Sequence, residues 1–201
     1  MLANLPQLTR LLIICNVAAF VAELFLGDLL IGHFGLWPLP APGVGGYPSF
    51  MPWQIVTYSF LHGGIGHLLF NMFALYMFGG ELEYFLGSRR FFSLYFISVI
   101  SAAAMQLLVS IAADGPPQAT IGASGGVFGL LLAFGLFFPR RTLVLLIPPI
   151  PMPAWLFVTL YGLLELVLGV FGSGGGIAHF AHLGGMLGAW LLIHRWMKQR
   201  R

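Results

Sequence analysis

Charge is scarce in this chain. Only 7% of its 201 residues are Asp, Glu, Lys or Arg, while 59% are hydrophobic and the mean hydropathy is +0.92. So few charges cannot solvate the surface of a soluble globule, and so many apolar side chains cannot hide in one soluble core. An integral membrane protein is the class that remains. Cysteine is almost absent as well: Cys15 stands alone, so no intramolecular disulfide can form and the redox compartment is left open. Cys15 reads as a small apolar packer in a span. There is no charge run, no low-complexity tract and no repeat, so residues 1–201 read as a single membrane domain. No cleavable signal peptide stands out either. The stretch from Leu11 to Leu30 is long enough to span a bilayer and lacks an A-x-A-like end, so the first span is expected to stay.

What is abundant is apolar sequence broken by Gly 27 and Pro 13, a pattern suited to membrane bundles. Six apolar segments can be drawn at about bilayer length: Leu8–Leu30, Gly66–Leu86, Phe91–Ala112, Ser124–Phe138, Ala154–Phe171 and Ala178–Met197. Arg10 stands at the start of the first, Arg89 and Arg90 follow the second, Arg140 and Arg141 the fourth, and Arg195, Lys198, Arg200 and Arg201 stand at or just past the end of the sixth. All nine basic residues therefore fall on one side, which the positive-inside rule makes cytoplasmic, with both termini inside. The pI near 9.4 then reports topology and contact with the anionic lipid bilayer. The basic tail RWMKQRR is a short lipid-facing or solvated anchor, and no nucleic-acid partner is implied.

The longest connection, His33 to about Ile65, lies outside and carries Trp37, Tyr47, Phe50, Trp53, Tyr58 and Phe60. That aromatic load reads as an interfacial element lying partly in the outer leaflet. The inner loop LIPPIPMPAW, Leu146 to Trp155, is studded with proline and is expected to reorient the chain into the fifth span. The outer loop AADGPPQATIG, Ala112 to Gly122, feeds directly into Ser124. Irregular backbone at membrane depth survives where it is packed or lines water, so a wet cavity is expected above that serine.

Polar residues gather at one depth. Ser124 is 16 residues from Arg140, His182 is 13 from Arg195, and His67 is 16 from Glu83. At about 1.5 Å per residue all three sit about 20–24 Å from the inner charges, in the outer half of the bilayer. Taken singly, a serine among glycines is a packing residue, or it bonds the carbonyl one turn back. A lone membrane histidine reads equally as structural or functional. Gly125 and Gly129 in span four, and Gly184, Gly185, Gly188 and Ala189 in span six, form small-residue faces that let two backbones approach. Close approach is also what a serine and a histidine on those spans would need to meet.

The chemistry that fits is nucleophilic acyl transfer. Ser124 is inert until a base takes its proton, and His182 as a neutral imidazole can do so. Oxyanion donors would be the Ser124 backbone N–H at the helix start, with His67 and Asn71, four residues apart on one helical face. Phe128, one turn below Ser124, can pack against the imidazole. A carboxylate to orient the histidine is harder to find. Glu81 and Glu83 lie at the cytoplasmic end of span two and Asp114 in a turn-like loop. Glu165, within span five, is a functional candidate by position, without a visible partner. A Ser–His dyad is the expectation, with Glu165 the residue most able to change it.

These residues resemble the rhomboid family of intramembrane serine proteases. GASG around Ser124 is similar to its nucleophile motif, AHLGG with His182 to its base motif, and HGGIGHLLFNM to its second-helix motif. ELEYFLGSRRFFSLY, with Glu83 and Gly87, resembles the stretch that closes that helix, and the match runs from about Trp53 to Ala189. The resemblance implies an all-α, six-transmembrane-helix bundle with a long interfacial first outer loop and a site open to the outer side. It implies cleavage of single-pass transmembrane proteins near the outer end of their helix, without cofactor or metal, with His67 and Asn71 assisting the oxyanion. The expected location is the inner (plasma) membrane of a bacterium. Phe70 and Trp155 are candidate gate residues on family grounds, and His179 is a candidate for steadying span six. Where the family often has Trp-Arg in the first outer loop this chain has Trp53-Gln54, a departure that bears on how the loop is anchored.

Two other readings compete. A metal or haem protein using His62, His67, His179 and His182 would explain the histidines but leave Ser124 and Asn71 idle. The absence of H-E-x-x-H disfavours a zinc protease. An inactive rhomboid-like protein would bind membrane helices without cutting them.

Overall fold

The computed structural model describes residues 4–39, 46–111, 116–144, 148–172 and 178–199. Its long helices are α1 (Gln7–Phe34), α5 (Ser88–Ser110), α7 (Ala154–Phe171) and α8 (His179–Lys198), with α6 (Ser124–Phe137) at the centre. A short helix α2 (Gln54–Thr57) lies in the long connection between α1 and the second apolar segment. The second apolar segment is built in three pieces: α3 (Ile65–Ala74), a π-helical turn over Leu75–Gly79, and α4 (Gly80–Leu86).

The outward faces are apolar to an extent water would not tolerate. Phe25 and Phe171 are 80% and 83% exposed, and Leu24, Leu69 and Leu108 are exposed with them. The helices α1, α5 and α7 are each long and apolar enough to cross a bilayer, and α6 is apolar but shorter at 14 residues. The chain is an integral membrane protein.

Small residues set the spacing of the core. A Cβ on Gly185 would fall onto the carbonyl oxygen of Gly125, and one on Gly129 onto the Ser98 hydroxyl. Cβ atoms on Gly184 and Gly188 would come within 2.5 Å of Met105 and Ser101 of α5. Helices α5, α6 and α8 are thus packed backbone to backbone, in the manner of small-residue membrane interfaces. Helix α7 is held more lightly. Its buried residues are Ala154, Val158 and Glu165, all on one face.

Glu83 anchors the start of α1. The first turn of a helix leaves N–H groups without partners, and Pro6 at the N-cap has no side chain able to accept from them. The Glu83 carboxylate, from α4, accepts instead from the N–H groups of Leu8 (3.0 Å) and Thr9 (2.7 Å), the Thr9 hydroxyl (2.8 Å) and the Ser88 hydroxyl (2.7 Å). One buried carboxylate ties α1, α4 and α5 together, with its charge at the favourable end of the α1 dipole.

Sequence and structure differ in several places. Helix α1 runs four residues past Leu30, with non-helical dihedrals at Leu26 (φ −132°, ψ 24°). The proline-rich inner loop contributes a strand: β1 (Thr142–Val144) pairs antiparallel with β2 (Pro151–Pro153). Both are edge strands, where a missing N–H is tolerated. Tyr58, expected at the lipid interface, is instead only 2% exposed, whereas Trp53 and Tyr47 are half exposed.

The connection between α1 and α3 is anchored by Gln54, whose side chain is fully buried. Its Oε1 accepts from the N–H groups of Trp37 and Met51, and its amide donates to the His33 carbonyl. Trp53 Nε1 donates to the same carbonyl at 2.9 Å. The position that departs from the family pattern is therefore a hydrogen-bonding hub for this loop.

Candidate active site

Ser124 is the first residue of α6, so the N–H groups of that turn lack intrahelical partners. The chain reaches it through Gly122, whose φ of +127° is one that side-chain-bearing residues rarely adopt. Two contacts fix this approach. The Gly122 N–H donates to the Tyr58 carbonyl at 3.0 Å, and Thr120 pairs with Leu36 through two bonds of 2.9 Å. The Tyr58 hydroxyl in turn donates to the Val99 carbonyl of α5. Burial pushes the Tyr58 phenol above its ordinary pKa, so it stays a neutral donor. No sequence signal marked Tyr58 for this role, because it is one of six aromatics in this loop and nothing in their spacing sets the buried Tyr58 apart from the exposed Tyr47 and Trp53.

His182 comes from α8, which the Gly125–Gly185 contact brings against α6. Its Nε2 lies 2.8 Å from Ser124 Oγ. The ring stacks on Phe128, with centroids 4.2 Å apart and planes 5° from parallel. Its Nδ1 lies 2.8 Å from Glu165 Oε2, and the same oxygen is 2.7 Å from Nδ1 of His179. An ionised carboxylate only accepts, so both Nδ1 atoms donate. The His182 Nε2 lone pair is then left to accept from Ser124. The partner that Glu165 lacked in the sequence is thus a pair of histidines one turn apart on α8. Asp114, the other carboxylate considered, lies outside the described residues.

His67, at the start of α3, faces the same space. A Cβ on Gly122 would lie 2.7 Å from the His67 ring and 3.6 Å from Ser124 Oγ. The Gly63 N–H approaches His67 Nδ1 at 3.4 Å, which leaves the proton on Nε2, the atom turned toward Gly122. Asn71, one turn on, donates one amide hydrogen to the His67 carbonyl at 2.9 Å and keeps a second. Behind His67 the buried His62 ring packs edge-on, with centroids 5.1 Å apart. Burial, together with the neighbouring His67, pushes the His62 imidazole down to about 4, so it is neutral near pH 7. The His62 backbone N–H donates to the Glu23 carboxylate of α1.

Two candidates stand apart. Phe70, on α3, is 69% exposed. Trp155, half exposed, is tied by its N–H to the Pro139 carbonyl beyond the C-terminus of α6. It therefore sits at the end of that helix away from Ser124, about 20 Å along the axis.

Nor are the four histidines of a metal or haem reading gathered as one ligand set. Among the described residues the group able to offer clustered ligand atoms is Glu165, His179 and His182, within 4.8 Å of one another. Two N–H···O bonds already account for that cluster.

An apolar helical bundle with a serine hydroxyl hydrogen-bonded to a histidine at the head of its central helix defines the class: an integral membrane protein with a serine–histidine site. The rhomboid domain model matches residues 49–198, and the chain belongs to the rhomboid family. It is 36% identical over 156 residues to Rhomboid protein 1, mitochondrial, of Saccharomyces cerevisiae, covering 74% of this chain and 44% of that protein. To RHOMBOID-like protein 6, mitochondrial, of Arabidopsis thaliana it is 31% identical over 140 residues, covering 67% and 40%. To Rhomboid protease GlpG of Yersinia pestis it is 27% identical over 186 residues, covering 90% of this chain and 59% of that one. The chain thus spans less than two thirds of the length of each of these relatives.

Proposed function

We propose that this protein is an intramembrane serine endopeptidase that cleaves the transmembrane segment of single-pass membrane proteins, in a six-span bundle with both termini in the cytoplasm of a bacterium. The observation that carries the reading is the 2.8 Å contact between Ser124 Oγ and His182 Nε2. His182 takes the hydroxyl proton as Oγ bonds to the scissile carbonyl carbon, and passes it to the departing amine as the C–N bond breaks. Water, deprotonated by the same imidazole, then releases the acyl group. The oxyanion is met by the Ser124 backbone N–H, His67 Nε2–H and the second Asn71 amide hydrogen. Phe128 fixes the imidazole plane, and no cofactor is required.

The test is intact-mass analysis after exposure to a fluorophosphonate, which bonds covalently to activated serines, with Ser124→Ala and His182→Ala alongside. One adduct on the wild type, missing from both variants, is expected. A folded wild type that takes up no adduct would support helix binding without cleavage instead.

A further inference from the structure

We infer that Glu165 is a positioning residue that makes this site a Ser124–His182–Glu165 triad, with His179 holding the carboxylate in place. The inference rests on the serine-protease reading above and adds a group that a Ser–His dyad does not need.

Three observations carry it. Helix α7 buries only Ala154, Val158 and Glu165, so the one acidic residue of an otherwise lipid-facing helix is turned into the bundle. A carboxylate at membrane depth is costly unless it is satisfied. Next, Glu165 Oε2 accepts from His182 Nδ1 at 2.8 Å while His182 Nε2 meets Ser124 Oγ at 2.8 Å, so the three groups form a continuous chain. Finally, His179 Nδ1 donates to the same oxygen at 2.7 Å, and a second donor one turn along α8 fixes where that oxygen sits.

The consequence is tautomeric. A free imidazole can carry its proton on either nitrogen, and only the Nδ1–H form can accept from Ser124. Glu165 selects that form and stabilises the imidazolium that develops as the serine proton arrives. The proton stays on His182 until it is passed to the leaving amine. Ionisable groups around the ring are Glu165 from α7, His179 from α8 and His67 from α3. Of these, only Glu165 accepts from Nδ1.

The experiment compares fluorophosphonate labelling kinetics of the full chain with those of Glu165→Gln and Glu165→Asp, separating kinact from KI and recording a melting temperature for each. Expected is a fall in kinact of about 10²- to 10⁴-fold for E165Q, because its amide can donate to Nδ1 and select the wrong tautomer. KI is expected to be unchanged, and E165D, which keeps the carboxylate, to recover part of the loss. A folded E165Q whose kinact stays within about threefold of wild type overturns the triad while leaving the dyad intact. Should E165Q not fold, Glu165→Ala, which removes the acceptor without adding a donor, decides: a lowered kinact at unchanged KI supports the triad, and an unchanged kinact overturns it. A wild type that is never labelled overturns the protease reading itself.

Discussion

Gly185 of α8 rests on the peptide of Gly125 in α6 so closely that a Cβ at Gly185 would lie 2.0 Å from the Gly125 carbonyl oxygen. Gly125 follows Ser124 directly, and Gly185 lies three residues from His182 on the same helix. The distance between hydroxyl and imidazole is therefore set by a contact that neither residue makes.

Gly185→Val should consequently impair the site more than the fold. The added side chain must push the helices apart, at a packing cost of about 1–3 kcal/mol. A shift of about 1 Å would stretch the 2.8 Å Ser124–His182 bond beyond hydrogen-bonding range and slow labelling by about 10²-fold. Fluorophosphonate labelling beside a thermal melt checks this. A variant with wild-type labelling would show that the contact does not set the geometry.

How much of this was legible in the sequence depends on which coordinate is asked for. That Ser124, His182 and His67 share one level along the bundle was legible, because Arg140, Arg195 and the end of span two give points from which each can be counted. Rotation about each helix axis was not. Glu165 could be placed in span five, but the helix it faced depended on α7 lying against α8, which no periodicity in an apolar helix records. The π turn at Leu75–Gly79 and the β1–β2 pair were hidden for a related reason. The first continues an apolar run without interruption, and the second is written in prolines that ordinarily signal a loop.

Gly122→Ala should injure the oxyanion side alone. Its φ of +127° strains any residue with a side chain, by about 1–3 kcal/mol, and the new methyl would stand 2.7 Å from the His67 ring. If the displaced Nε2–H is an oxyanion donor, turnover falls by about 10²- to 10³-fold. His67→Ala in the same assay should then cost little more when combined with Gly122→Ala than alone. Additive losses would separate the two residues.

Gln54→Ala should loosen the connection between α1 and α3. Trp37 and Met51 lose the acceptor for their N–H groups and the His33 carbonyl loses a donor, a cost of about 2 kcal/mol. The expected signature is faster proteolytic cutting between His33 and Trp53 in detergent. Unchanged cutting would mean that Trp53 and the Leu36–Thr120 pairing hold the loop by themselves.

Glu83→Ala should destabilise the protein without touching the chemistry. Removing the carboxylate strands the N–H groups of Leu8 and Thr9 and two hydroxyls, of which the Thr9 groups are buried. The loss of bonds to a charged acceptor amounts to about 3 kcal/mol, or a fall in melting temperature of about 10 °C. Glu83→Gln, which keeps one acceptor oxygen but loses the charge at the α1 N-terminus, should fall between the two. Because Glu83 lies 16 residues from His67, near the other end of the bundle, labelling of Ser124 in the still-folded variant should proceed at close to the wild-type rate. A melt unchanged from wild type would show that water or another group satisfies the α1 terminus, and would remove Glu83 as the tie between α1 and the rest of the bundle.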